Sequence, residues 1–123
     1  MNIPPCVLVV DDSPTARRVT EGMLAEAGYE VVTAHDGDDA LKLFECHQPD
    51  AVVLDVILPK KNGFQVCRHL KANNGGSAKV LMVTSKSNPS DQEWGRRQGA
   101  DVYLTKPFHA EELLDSLERL LTE

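Results

Sequence analysis

Cys6-Val7-Leu8-Val9-Val10 runs directly into Asp11-Asp12-Ser13-Pro14, and this junction decides the fold. A short, continuous, largely β-branched apolar run is what a central parallel strand needs, because helices cover both of its faces. Ser13 can cap the helix that follows and Pro14 suits its first turn. Ala16, Val19, Met23, Leu24 and Ala27 then mark a buried helix face, which Gly28 ends. The same strand-then-helix pattern recurs along the chain. Ala51-Val52-Val53-Leu54 repeats the buried strand, and Val31-Val32, Lys79 to Val83 and Val102-Tyr103-Leu104 supply three more. Between them, Asp36 opens a helix carrying Ala40, Leu41 and Phe44. Another carries Phe64, Cys67 and Leu70 and ends at Asn73-Asn74-Gly75-Gly76. A fourth helix is expected to start with the capping box Ser90-Asp91-Gln92-Glu93 and to stop at Gly99, and a fifth carries Leu113, Leu114, Leu117 and Leu120. The pattern is α/β, a (βα)5 doubly wound parallel sheet of five strands.

The chain is 123 residues long and contains no repeat, linker or low-complexity tract, which sets the expectation of a single domain over residues 1–123 with no output domain. Lys and Arg number 13 against 19 Asp and Glu, a net charge of −6, which disfavours nucleic acid as a direct partner. The three cysteines, Cys6, Cys46 and Cys67, lack metal-ligand spacing and sit in apolar surroundings, the pattern of reduced, buried thiols. No segment has the length to insert in a membrane, and the chain is expected to be soluble and cytoplasmic. His35, His47, His69 and His109 fall on turns or polar helix faces and read as surface residues.

Ligands of a doubly wound sheet bind at the carboxyl ends of its strands. Standing there are Asp11-Asp12 after the first strand, Asp55 after the third, Thr84-Ser85 after the fourth and Lys106-Pro107 after the fifth. Crowded carboxylates need a compensating cation, and an all-oxygen site suits magnesium, which uses few protein carboxylates and keeps several waters. With phosphoryl charge neutralised, one carboxylate can act as nucleophile in an in-line transfer dominated by positioning and electrostatics, and Asp55 is the central candidate. Lys106 can meet one phosphoryl oxygen with a point charge, and the Thr84 hydroxyl can donate to another.

Val9-Val10-Asp11-Asp12-Ser13, Leu54-Asp55 followed by Pro59 and Gly63, Val83-Thr84-Ser85, and Tyr103-Leu104-Thr105-Lys106-Pro107-Phe108 together resemble the response-regulator receiver family of two-component signalling. The resemblance covers essentially the whole chain. It implies a flavodoxin-like strand order 2-1-3-4-5, a cis Lys106-Pro107 bond, and a phosphoryl group accepted on Asp55 from a histidine kinase or phosphotransfer domain. By the same resemblance, Asp11, Asp12, Asp55 and the Ile57 backbone carbonyl hold Mg2+, for which Mn2+ can substitute. Thr84 and Lys106 contact the phosphoryl group, and Thr84 and Tyr103 form a switch that reshapes the surface of the fourth helix, fifth strand and fifth helix toward a protein target. The stretches Trp94 to Ala100 and Leu104 to Leu114 are similar to stand-alone receivers of chemotaxis and type IV pilus twitching systems.

Blander readings stand beside these. Asp11 alone suits a turn or helix cap as well as a metal, and it is the pairing with Asp55 and Lys106 that favours the functional role. Tyr103 also fits a half-buried strand position without any switching role, and Trp94 reads as core or partner-facing packing. A flavodoxin-type electron carrier shares the fold, but Asp11-Asp12 would repel the flavin phosphate. A haloacid-dehalogenase-type phosphatase needs a second Asp two residues past the nucleophile, where this chain has Ile57. A receiver that binds a partner without phosphorylation, and the excised receiver of a larger transcriptional regulator, remain as alternatives. Ile57 and Lys86, two past Asp55 and Thr84, are expected to slow self-dephosphorylation: Ile57 cannot activate water, and the Lys86 ammonium can stabilise the phosphorylated ground state.

Overall fold

The computed structural model describes residues 3–73 and 78–122. Its elements alternate as β1 (Cys6–Val10), α1 (Pro14–Glu26), β2 (Glu30–Ala34), α2 (Gly37–His47), β3 (Ala51–Leu54), α3 (Gly63–Asn73), β4 (Val80–Thr84), α4 (Pro89–Arg97), β5 (Val102–Thr105) and α5 (Ala110–Thr122). The five strands form one sheet in the order β2-β1-β3-β4-β5, every pairing parallel.

Alternation along the strands divides the core in two. Leu8, Val10, Val52, Leu54, Val80 and Met82 face the helices that contribute Ala40, Phe44, Val66, Cys67 and Leu70, which places α2 and α3 on that side. Val7, Val9, Ala51, Val53, Leu81 and Val83 face Leu24, Leu113, Leu117 and Leu120 of α1 and α5. Burying one such side chain fully stabilises the fold by about 1.5–3 kcal/mol, so the apolar runs that signalled the strands also supply most of the core.

Helix ends follow local chemistry. Ser13 caps α1 by accepting from the Ala16 N–H at 3.3 Å, and Gly28 takes φ +95 just past its end, a conformation that favours glycine. Asp36 caps α2, accepting from Asp39 N–H at 2.7 Å, and Asn62 and Gln65 cap α3 reciprocally at 3.0 Å each. The expected capping box at Ser90 does not form. Pro89 starts α4 with Asn88 at the cap position, two residues before Ser90, and no side-chain cap bond, because the ring presets φ for a first turn and needs no N–H partner there. The end of the third helix expected at Asn74-Gly75-Gly76 lies outside the described residues.

Two expectations about burial are corrected. Val19 is 52% exposed and Ala27 is also exposed, whereas Thr20 and Leu24 are buried. The helix is turned by one position, and at 100° per residue that moves Val19 off the sheet. The cysteines divide as well: Cys67 is buried, Cys6 half-buried and Cys46 exposed, since Cys46 lies on the solvent side of α2 opposite Phe44 and Ala40. Burial pushes the Cys67 thiol up to about 12. The four histidines are all exposed, as expected. No helix among the described residues is long and apolar enough to cross a membrane.

Candidate functional site

Register builds the site. Val10 pairs with Leu54, so Asp11 and Asp55 emerge side by side from neighbouring strands, and the Asp55 N–H donates to the Val10 carbonyl at 3.0 Å. Thr84 pairs with Thr105, which brings Lys106 to the same end of the sheet, and its N–H donates to the Thr84 carbonyl at 2.8 Å. The Lys106-Pro107 bond is cis, as the resemblance implied.

From there the Lys106 ammonium donates to Asp11 Oδ2 at 2.8 Å and to Asp55 Oδ2 at 2.9 Å. Both carboxylates are buried, Asp11 to 6% exposure and Asp55 to 8%. Each uses its other oxygen on a backbone amide: Asp11 Oδ1 accepts from Ser13 N–H at 2.9 Å and Asp55 Oδ1 from Ile57 N–H at 3.1 Å. Burial by itself would lower the Lys106 pKa, but the hydrogen bonds and charges of both aspartates outweigh it and hold the ammonium above its ordinary range. The stability this contributes is therefore present at neutral pH and is lost only as pH rises past the ordinary lysine range.

Asp12 is exposed beside this pair. Among the described residues no three His, Cys, Asp or Glu side chains are gathered as a metal cluster. Asp11 and Asp55 are joined through Lys106. The donors present are nevertheless all oxygens of carboxylates and backbone, each carboxylate retaining lone pairs beyond its two hydrogen bonds, and such a set fits a hard cation of the magnesium type.

The expected switch residues are linked in a way the sequence did not reveal. Thr84 is fully buried and its Oγ1 accepts from the Lys86 N–H at 3.4 Å, while the Tyr103 hydroxyl donates to the Lys86 carbonyl at 2.8 Å. One backbone residue thus touches both. The half-buried Tyr103 ring packs where a Cβ on Gly95 of α4 would lie only 2.9 Å from it, and burial, with the charges of Asp91 and Asp55, raises its phenol to about 12. The Lys86 ammonium itself stands 4.0 Å from Asp91 of α4, and Ile57 is 51% exposed at the rim.

Three further features escaped the linear reading. Arg17 donates from Nη1 to the Asp11 carbonyl at 2.8 Å, bracing the turn that carries the acid pair. Gly63 sits where a Cβ would run into the Asp55 carbonyl oxygen, so only glycine lets α3 begin so close to Asp55. An open groove of about 410 Å³ starts at Lys106 and is lined by Ala16, Val19, Met23, Pro107 and Phe108, which gives exposed Val19 a place. Its residues lie far apart in sequence, and the i, i+3, i+7 spacing of Ala16, Val19 and Met23 was the one available signal.

A five-stranded parallel α/β fold that presents an acid pair, a central aspartate, a buried threonine and a lysine at one end of its sheet is a receiver of the two-component signalling type. The chain belongs to the response regulator receiver domain family, which it matches over residues 7–118. It is 41% identical over 116 residues to Protein PilH of Pseudomonas aeruginosa, covering 94% of this chain and 96% of that protein. It is 42% identical over 113 residues to Protein PilG of the same organism, covering 91% and 84%. Among solved structures, chemotaxis protein CheY4 of Vibrio cholerae superposes with a TM-score of 0.90 at 35% identity, covering 97% of this chain and 100% of that one. The chain spans about half the length of other curated relatives that it matches.

Proposed function

We propose that this chain carries signals by accepting a phosphoryl group on Asp55. One observation carries the reading: two buried carboxylates from adjacent strands share a single lysine ammonium, 2.8 and 2.9 Å away, at the end of the sheet where such folds bind ligands. The donor is the phosphohistidine of a sensor kinase or phosphotransfer domain, or a small phosphodonor, and the groove that begins at Lys106 gives such a protein a place to dock next to the acceptor.

Asp55 Oδ2 attacks phosphorus in line, the P–N bond to the donor imidazole breaks, and an acyl phosphate forms as the imidazole leaves and takes up a proton. The Ile57 N–H holds the other carboxylate oxygen and so orients the attacking one. Lys106 exchanges its bond to Asp55 for one to a phosphoryl oxygen, and the Thr84 hydroxyl turns to donate to another. Asp11, Asp12, Asp55 and the Ile57 carbonyl would hold Mg2+ or Mn2+, which supplies charge neutralisation on the phosphoryl oxygens when bound. Movement of Thr84 breaks its link to the Lys86 N–H, and the same backbone residue releases the Tyr103 hydroxyl. Tyr103 then turns inward, and the surface of α4, β5 and α5, on which Trp94 is 50% exposed, changes its fit to a protein target.

The reading is that of a cytoplasmic phosphoacceptor, a single receiver unit over residues 1–123, with no role as an enzyme on other substrates. Net charge −6 argues against nucleic acid as its partner. Similarity to PilH, PilG and CheY4 supports a role in chemotaxis or pilus-driven motility. The test is labelling with acetyl phosphate or a phosphorylated kinase, with and without magnesium. Acid-stable, hydroxylamine-sensitive label should require the metal and disappear in Asp55→Asn, and label persisting in that variant would sink the assignment.

A further inference from the structure

The β3–α3 loop, residues 56–62, carries Ile57, whose N–H fixes one oxygen of Asp55 at 3.1 Å. The loop is closed at its base, since Gly63 N–H donates to the Val56 carbonyl at 2.8 Å. Outside that bond its middle is exposed, with Ile57, Pro59, Lys60, Lys61 and Asn62 all facing solvent. Leu58 packs against the core and Asn62 is tied to Gln65 of α3, while the stretch between them is met by α2. Gly37, the first residue of that helix, is buried against Lys61 so tightly that a Cβ there would run into the Lys61 carbonyl oxygen and lie 2.6 Å from Lys61 Cβ. Gly37 N–H also points to the Pro59 carbonyl at 3.4 Å.

Ion pairs flank this contact: Lys60 with Asp36 at 3.7 Å and Lys61 with Asp38 at 3.3 Å. Both lysines are largely exposed, and pairs of that kind hold geometry weakly. The close backbone approach at Gly37 is the specific element. Of its two sides, α2 is the one that cannot yield. It is anchored by buried Ala40 and Phe44, and at its start Asp36 is buried, with its carboxyl held below the usual range by the Asp39 N–H. Lys60, by contrast, takes φ +68, a conformation unfavourable for a side chain with a Cβ, so the loop keeps its path only while the surroundings impose it.

We infer that Gly37 is a positioning residue for phosphoryl transfer: its contact with Lys61 sets the loop that aims the Asp55 carboxylate through the Ile57 N–H. This rests on Asp55 being the acceptor. Any side chain at position 37 displaces the loop, not the helix, and loosens the aim of the attacking oxygen. Small misplacements of this kind are costly for in-line chemistry.

The experiment compares Gly37→Ala with Gly22→Ala, whose added Cβ meets nothing within 4 Å. Labelling by acetyl phosphate at saturating magnesium is followed together with the Ile57 amide resonance and with urea unfolding. Gly37→Ala should label about ten-fold more slowly than the parent, with a displaced Ile57 amide, in protein that still unfolds cooperatively, while Gly22→Ala labels at the parent rate. Parent-rate labelling with an unmoved Ile57 amide in Gly37→Ala overturns the inference. Should Gly37→Ala not fold, Lys61→Gly, which removes the Cβ facing Gly37 and leaves α2 intact, is expected to shift the same amide and slow labelling about three-fold, and no change in either overturns it. A parent that takes no label defeats the phosphoacceptor reading alone, since the Ile57 amide still reports whether Gly37 positions the loop.

Discussion

Helices α4 and α5 follow β4 and β5 and lie on opposite faces of the sheet, yet they are held by different physics. α5 buries Leu113, Ser116, Leu117 and Leu120, and its start is tied by the His109 N–H donating to Glu112 Oε1 at 2.9 Å. α4 buries Gly95 alone, has no side-chain cap bond, and presents Trp94 to solvent at 50% exposure. α5 is therefore an anchor whose displacement would strip leucines from the core. α4 can shift without losing much apolar burial, and its buried residue, Gly95, lies against Tyr103, the residue proposed to turn on phosphorylation. A signal that reshapes a surface needs an element with little to lose by moving, and this chain places one directly over the tyrosine proposed as its switch.

The largest expected effect breaks the anchor. Leu117 is fully buried, and Leu117→Ala should destabilise the protein by about 2–5 kcal/mol in urea unfolding, whereas Trp94→Ala on α4 should cost less than about 1 kcal/mol. Equal losses would erase the distinction between the two helices.

A smaller effect concerns two residues, Lys86 between β4 and α4 and Ile57 just past Asp55. Lys86 stands 4.0 Å from Asp91 of α4 and touches Thr84 and Tyr103 through its backbone, and the Ile57 N–H donates to the Asp55 carboxylate. The phosphorylated parent should outlast an Ile57→Asn, Lys86→Glu variant by about ten-fold, equivalent to about 1.4 kcal/mol in barrier height. Measured with magnesium saturating both proteins, an unchanged or longer lifetime in the variant would rule this account out.

The smallest signal is spectroscopic and sharpens the comparison most. On saturation with a beryllofluoride phosphoryl mimic, Trp94 emission and amide shifts across residues 84–108 should change, while amides of α5 beyond Leu117 stay put. Thr84→Ala should bind the mimic and leave Trp94 unresponsive, because the link from Thr84 Oγ1 to the Lys86 N–H is gone. A full Trp94 response in that variant would show that the signal bypasses Thr84.

Much of this was readable along the chain. Residues 6–10 and 51–54 announced their strands because a strand covered on both faces has to be apolar throughout, and few other structures impose that on so short a run. The residues just past those strands followed from the same pattern, since the strand ends of a doubly wound sheet are where its ligands sit. The face of α1 was read one position off at Val19, because hydrophobic spacing marks a broad stripe and only the neighbouring elements decide which edge of it is covered. Cys46 was misjudged in the same way: apolar neighbours in sequence are not neighbours in space on a helix.

By itself, then, the sequence determined the order of strands and helices and the chemical inventory at the strand ends, because both depend on periodicity and on residue type. Tertiary structure alone decided that one ammonium bridges Asp11 and Asp55, that Lys86 links Thr84 to Tyr103 through its backbone, and that Gly37 closes on Lys61. Each joins residues from different elements at distances of a few ångströms. Such distances are set by strand register and by the rotation of each helix about its axis, quantities that depend on how all the elements pack at once.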